Sequence, residues 1–403
     1  MKDNFNKYKF IYFSHSTLLI PRVARQCMVS LCEAVAQMGV ESEIVSINHK
    51  LNNNEPNHPP FAITYGIDTP IKNTFFNLYL SNVFPNVTIF FKFERLVVYA
   101  YYLLRCILRG DNKNYDLVIV SARNYSVLLL MRIVKTVFFE KYVILADVHG
   151  LPDSIYQCII HKLLDGNVCI SKHLSEELKI KCNLPKDKVI VAHSGVKLSR
   201  FNGIDDDKSI LRKRLDLPET KKIVCYTGKV YYRYEEIGYY LKAAEYLSDD
   251  ILILIIGGRP DHVKKWEDEC KMRKKNNVIF RSFIRPSDIP LYLKASDILV
   301  MYYSPNKLND YRSPGKIFEY MASGTPIITC KTESICEVIK HGENGILIEP
   351  YKPIVLADNI NRLVRNKELQ YYIGENAKRS VRAYKWTNRA EVFIRYAEKR
   401  LYL

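Results

Sequence analysis

The sequence predicts an α/β chain folded as two doubly wound parallel-sheet domains in series. Short apolar runs of strand length alternate with stretches of helical periodicity, a pattern that calls for a parallel sheet covered on both faces. The alternation occurs twice, on either side of a polar, charged stretch at 201–220, and 403 residues suffice for two cores. Glycine turns and chemically distinctive side chains fall just after strands, where open α/β sheets bind their ligands.

Residues 9–14 read as a strand, 23–38 as a helix with Cys27, Leu31, Ala34, Val35 and Met38 at helical spacing, and 43–47 as a second strand. Gly39 ends that helix. The first turn, 15–22, contains no glycine, which excludes a dinucleotide fingerprint there. Residues 48–74, rich in Asn and Pro, read as a long irregular loop. The apolar run 87–108 is broken by Lys92, Glu94, Arg95 and Arg105, so it is an amphipathic helix, in the core or flat on a membrane, and not a span. Strands follow at 117–120, 142–146, 167–170 and 189–192. Beyond the linker, strands at 223–226, 251–256, 278–281 and 298–301 alternate with helices at 239–247, 263–273 and 289–295. A last helix at 388–402 carries Val392, Ile394, Ala397 and Leu401. The expected division is an N-terminal domain at 1–200, a C-terminal domain at 201–385, and a closing helix at 386–403 packing back toward the first domain.

The second series is centred on 311–328. Ser313 is expected as N-cap and Pro314 as the first residue of a three-turn helix that buries Ile317, Phe318 and Met321, ends at Gly324 and leads into a buried strand. Free N–H groups and the positive dipole end at Ser313, Pro314 and Gly315 make a candidate anion site. Lys316 opposes the dipole unless an anion sits nearby, and Glu319 shares its face. A diphosphate held by Lys316 and the helix end, with Glu319 accepting two sugar hydroxyls, accounts for all three. A solvated Lys–Glu pair is the plainer alternative.

Two more turns fit an anion pocket: Gly228-Lys229, with Arg233 four residues on, and Gly257-Gly258-Arg259. In the first series His149 follows a strand, where an imidazole could orient an acceptor or donor-sugar hydroxyl or act as a base; a structural histidine satisfied by backbone is the alternative. Arg22 could hold a phosphate or an acidic acceptor, and His15 and His193 also lie near strand ends.

Sixty Lys and Arg against 43 Asp and Glu give a net charge of +17, which favours phosphate-rich partners: nucleotides, nucleic acid or an anionic membrane surface. Ten cysteines show neither C-x-x-C pairs nor zinc spacing and read as buried thiols of a reducing compartment. Residues 1–5 carry no apolar signal segment, so the expected setting is the cytoplasm.

Residues 319–328, Glu-Tyr-Met-Ala-Ser-Gly-Thr-Pro-Ile-Ile, closely resemble the donor-site helix of retaining glycosyltransferases of family 4, whose GT-B fold sets two Rossmann-like domains around a cleft. The stretches 193–201, 226–229, 254–258, 277–283 and 342–347 resemble the same family, so the likeness runs through 166–402 and is weaker before it. The resemblance implies that Glu319 meets the ribose hydroxyls, that Gly228 and Lys229 lie beneath the diphosphate, that the backbone of Phe283 and Ile284 meets the base, and that His149 lies near the transferred sugar. With Gly258, Ser313, Pro314 and Gly315 these complete the implied donor site; His149, Lys229, Arg233 and Lys316 are the implied catalytic set. Four departures stand out. Tyr311 replaces the first glutamate of the Glu-x7-Glu motif, which bears on donor choice; Tyr234 stands where a second phosphate-binding lysine is usual, with Arg233 beside it; and Ser282 replaces a glycine. The glycine-rich loop of many relatives is missing from the first domain.

The resemblance further implies a nucleotide-sugar donor, transfer with retention to a glycan or lipid-linked acceptor in cell-surface polysaccharide or glycoconjugate synthesis, and no metal or other cofactor. Same-face attack by the acceptor hydroxyl, with the leaving phosphate taking its proton, is the implied route. The basic charge is compatible with peripheral contact with an anionic membrane at its inner face. The alternatives are a nucleotide-sugar epimerase on the same fold, which would turn over donor with no acceptor, and a nucleic-acid-binding protein. Against the last, no RNA- or DNA-binding motif stands out and the cations are spread along the chain.

Overall fold

The computed structural model describes residues 5–14, 23–48, 65–77, 88–138, 142–233, 235–273, 276–304, 306–350 and 352–401. His15, Arg22 and Tyr234 lie outside the described residues, as does most of the expected 48–74 loop. Two compact units result: Met1–Gly195 together with Trp386–Leu403, and Val196–Lys385.

The first unit holds seven parallel strands: β1 (Tyr8–Phe13), β2 (Glu41–Asn48), β3 (Lys72–Asn77), β4 (Leu117–Ala122), β5 (Val143–Val148), β6 (Gly166–Cys169) and β7 (Val189–Val191), in the order β3-β2-β1-β4-β5-β6-β7. The order runs outward from β1 in one direction and from β4 in the other. Right-handed crossovers then place the connecting helices on opposite faces. The Val23–Gln37 helix packs with the closing Trp386–Leu401 helix on one face. On the other, Thr88–Arg109, Tyr125–Val137, Ile155–Leu163 and Lys172–Cys182 lie in sequence, each against the next. Asn124, Ser154 and Ser171 cap the last three by accepting from the N–H three residues on. Phe10, Tyr12 and Phe13 are at most 1% exposed, and Phe393 of the closing helix meets Phe10 edge-on at 6.1 Å.

The second unit repeats the plan with six strands: β8 (Lys222–Thr227), β9 (Ile251–Ile256), β10 (Val278–Arg281), β11 (Ile298–Met301), β12 (Ile327–Cys330) and β13 (Ile346–Ile348), ordered β10-β9-β8-β11-β12-β13. The strand order reverses between β8 and β11, so the ends of these two strands flank the crevice such sheets use for ligands. β9, β10 and β11 fall where the sequence puts them, because β-branched and leucine runs this apolar have no other place than a covered sheet.

Four expectations need correction. β3 lies at the end of the stretch read as loop; its polar Lys72, Asn73 and Asn77 are tolerated because it is an edge strand. A helix, Lys208–Arg214, occupies the expected linker, held by Arg212, whose guanidinium reaches Asp297 at 2.6 Å and the carbonyls of Ala295, Glu219 and Lys221. The helices Pro353–Arg365 and Lys367–Ser380 and strand β13 were not anticipated. Finally, the central helix spans Gly315–Ser323 with Pro314, not Ser313, as its cap residue. Pro314 has φ −72° and ψ 119°. A proline is comfortable at that φ inside or outside a helix, so its presence cannot distinguish the cap from the first helical position.

Candidate functional site

Two polar centres form at the carboxyl ends of strands, one in each unit. In the second unit the chain leaves β8 at Thr227 and turns through Gly228 (φ +156°), while beside it the chain leaves β9 through Gly257 and Gly258 (φ +131° and +81°). These turns touch. A methyl group on Gly257 would lie 1.9 Å from the Gly228 carbonyl oxygen, and one on Gly258 would lie 2.4 Å from that of Val230. Gly228 N–H donates to Ile256 O at 2.9 Å, and Phe283 N–H donates to Gly258 O at 3.0 Å. The glycines therefore let three chain segments close on one another, which no side chain would permit.

Over this floor sits the start of the Gly315–Ser323 helix. The hydroxyl of the buried Tyr320 accepts from the Thr227 N–H at 2.9 Å and so fixes the helix to the end of β8. Ile317, Phe318 and Met321 are fully buried, as their spacing requires, and Gly324 closes the helix in the left-handed conformation (φ +73°). A methyl on Gly228 would meet Lys316 Nζ at 2.5 Å, so the lysine lies directly against the first glycine turn. A methyl on Gly315 would meet nothing within 4 Å, so the helix start faces open space.

Lys316 Nζ sits 4.4 Å from the Tyr226 ring centre and 3.4 Å from its hydroxyl. Burial pushes the ammonium down to about 8; Glu236 and Glu319 oppose that shift, and Lys229 and Arg312 add to it. Burial raises the Glu319 carboxyl, partly offset by Arg200 and Lys316. Glu319 has no hydrogen-bond partner among the described residues. A half-buried cation beside further cations, next to a carboxylate with open acceptor sites, is an arrangement that an anion carrying hydroxyl groups would complete.

The remaining expected residues divide. Lys229 is exposed beside Gly228 and acts on Lys316 by its charge. Ser313 and Pro314 stand half-buried at the helix start. Phe283, 68% exposed, is held next to the second glycine turn by its backbone, with Ile284 half-buried behind it. Arg233 is exposed, with a left-handed backbone (φ +61°), and its guanidinium lies 5.8 Å from the Tyr232 ring centre. Tyr311, the substitute for the first glutamate, is buried. Sequence reading passed over Glu236 and quoted Tyr226, Tyr320 and Arg200 only within motifs. A glutamate in the first turn of a helix looks like an ordinary dipole partner until the fold buries it beside Lys316.

In the first unit the centre is Asp147, buried at the end of β5. Its Oδ2 accepts from Tyr12 Oη at 2.7 Å and Arg123 Nε at 2.8 Å; its Oδ1 pairs with Arg389 of the closing helix at 2.6 Å and with His149 Nε2 at 3.1 Å. Burial alone would raise this carboxyl, but Arg123, His149 and Arg389 hold it well below the usual carboxylate range. Burial lowers His149 to about 4, with Arg123 adding to the shift and Asp147 opposing it. An ionised carboxylate can only accept, so Nε2 of the neutral ring carries the proton and Nδ1 is left as an acceptor. His149 is thus satisfied by a side chain and not by backbone. It lines a pocket of about 210 Å³ with Arg123, Tyr125, Leu151 and His161. Arg123 follows a strand, so the strand-end rule would have found it; Arg389 gave only the weak signal of an arginine among helix-core residues.

The two parallel sheets, of seven and six strands, have the architecture of the GT-B class of folds. Residues 207–380 match the family model described as glycosyl transferases group 1. It is 28% identical over 231 residues to an uncharacterized glycosyltransferase of Methanocaldococcus jannaschii, a match spanning 56% of this chain and 57% of that protein. With the spore coat protein SA of Bacillus subtilis it shares 24% identity over 62% of this chain and 73% of the other. Among solved structures, Anabaena HepE in complex with UDP and glucose superposes with a TM-score of 0.71 at 16% identity, covering 97% of this chain and 99% of that one. A glycosyltransferase from Rickettsia africae gives 0.73 at 16% identity over 98% and 99%.

Proposed function

We propose that the protein is a retaining glycosyltransferase of family 4 that moves a sugar from a nucleotide diphosphate donor to a glycan or lipid-linked acceptor, in the synthesis of a cell-surface polysaccharide or glycoconjugate. The observation that carries this reading is the contact of Lys316 with the Gly228 turn, with Glu319 one helical turn further on. In this reading the diphosphate lies on the glycine floor against Lys316, Lys229 and the N–H groups at the start of the Gly315–Ser323 helix, and Glu319 accepts from the ribose hydroxyls. Phe283 and Ile284 flank the base. The complexes of HepE with UDP and with UDP-glucose support uridine as that base.

Cleavage of the anomeric bond places negative charge on the leaving diphosphate, and the same cations stabilise it as it develops. With the leaving charge met by protein cations, transfer is expected to persist after chelation of divalent ions. The acceptor oxygen attacks the face the diphosphate leaves, forming the new glycosidic bond, and its proton passes to the departing phosphate oxygen. His149, neutral and with Nδ1 as acceptor, is suited to hold a sugar hydroxyl rather than to serve as an acid near neutral pH. Arg233, exposed and 5.8 Å from the Tyr232 ring centre, is in this reading the cation that stands in for the lysine usual at 234.

Thermal melting in the presence of uridine, guanosine, adenosine and thymidine diphosphates tests the reading. One of them should raise the melting temperature in the wild type and fail to do so in Glu319→Ala. An unchanged shift in that variant would remove the ribose assignment. Incubation with donor sugar alone separates transfer from epimerisation, since only an epimerase would convert it to an isomeric nucleotide sugar.

A further inference from the structure

On the sheet face opposite the closing helix, Thr88–Arg109, Tyr125–Val137 and Ile155–Leu163 lie side by side, and each presents a second apolar stripe to solvent. In the first, Tyr99, Tyr102, Leu103 and Cys106 are buried, while Phe93, Val97 and Tyr101, spaced four apart, are 61%, 50% and 56% exposed. Ile155, Ile159 and Leu163 repeat that spacing on the third helix at 76%, 47% and 43%. Between them Ile133 and Val137 are 51% and 60% exposed. Among the described residues, the two helices on the opposite face expose no large hydrophobic side chain. Burial of the sheet explains the inner stripes but not these outer ones, where Tyr101 meets Phe76 edge-on at 6.4 Å and large apolar side chains stand in water at a cost.

Charge decides what covers it. The three helices contain seven Lys and Arg and one acid, Glu94. Arg132 and Lys135 share Asp165, at 4.0 and 2.8 Å, whereas Arg105, Arg109 and Lys162 are exposed. Arg105 and Arg109 continue the four-residue spacing of Phe93, Val97 and Tyr101, so both lie along the Tyr101 edge of that stripe. Two copies of this chain joined through the face would set these cations against one another; anionic lipid headgroups would neutralise them. Among the described residues no helix is long and apolar enough to cross a membrane.

We propose that this three-helix face docks peripherally on an anionic lipid bilayer, with Phe93, Val97, Tyr101 and their counterparts on the neighbouring helices in the headgroup–acyl boundary and Arg105, Arg109 and Lys162 at the lipid phosphates. The proposal extends the membrane contact that the charge suggested by naming its surface, and it is independent of the donor site.

The test is co-sedimentation of the full chain with vesicles of phosphatidylcholine alone or mixed with phosphatidylglycerol. The wild type should bind the anionic vesicles at least about tenfold more tightly than the zwitterionic ones. Phe93→Ser/Val97→Ser/Tyr101→Ser should lose that binding, and Arg105→Glu/Arg109→Glu should lose the preference for anionic lipid. All substituted side chains are exposed, and nucleotide binding and melting temperature should stay at wild-type values in both variants, which keeps this outcome separate from failure of the donor reading. Equal binding by wild type and the triple-serine variant, absence of wild-type binding to either vesicle, or a dimer in solution that the triple-serine substitution dissolves would each overturn the proposal.

Discussion

Lys316 is held in a state that an anion relieves. Its ammonium is depressed to about 8 chiefly by burial, and a diphosphate beside it would raise that value. Donor affinity should therefore be greatest below pH 8 and fall as pH rises through it, and binding near pH 8 should take up a proton, measurable as a binding enthalpy that varies with the ionisation enthalpy of the buffer. Lys316→Met should abolish this pH dependence. The free protein shows the opposite trend: a depressed lysine binds fewer protons folded than unfolded, so its contribution makes the second unit more stable as pH rises from about 8 toward the ordinary lysine range. His149, lowered to about 4, is likewise less protonated folded than unfolded. The first unit should lose stability as pH falls from about 6.5 to 4, and His149→Gln should flatten that slope in thermal melts.

The central helix does its work through where it begins, and Tyr320 sets that place. Tyr320→Phe would leave the Thr227 N–H buried without its 2.9 Å acceptor. The expected loss is about 1–3 kcal/mol in denaturant melts, together with weaker nucleotide binding. Gly257→Ala should be worse, since its methyl would collide with backbone at 1.9 Å and the left-handed φ is strained for alanine; no soluble, nucleotide-binding protein is expected. Both rest on what was and was not legible in the sequence. Strands such as Ile251–Ile256 announced themselves because six consecutive buried apolar residues suit few other settings. Gly228, Gly258, Lys316 and Glu319 were legible because strand ends and helix starts constrain chemistry locally. The partners that give those residues their properties were not. Glu236, Tyr226 and Arg389 reach their sites by tertiary packing, and pairs 93 and 242 positions apart, Thr227–Tyr320 and Asp147–Arg389, carry no local signal of their meeting.

At the scale of the whole molecule, the two units share one plan but differ in what their strand ends hold: a buried carboxylate clamped by two arginines in the first, a glycine floor beneath a lysine in the second. The closing helix returns to the first unit, where Arg389 completes the Asp147 cluster and Phe393 enters the core against Phe10. Phe393→Ala should cost about 3–5 kcal/mol and lower the melting temperature of the first unit while leaving nucleotide binding by the second intact. The net charge of +17 would serve both proposed contacts, with a diphosphate at the second unit and with anionic lipid at the three-helix face. The measurement that most directly tests the central claim is calorimetric titration of nucleoside diphosphates into the wild type and Lys316→Met near pH 7. The account predicts one diphosphate bound per wild-type chain, with affinity reduced about tenfold or more in the variant. Failure of every nucleoside diphosphate to bind the folded wild type, or equal affinity in Lys316→Met, would contradict it.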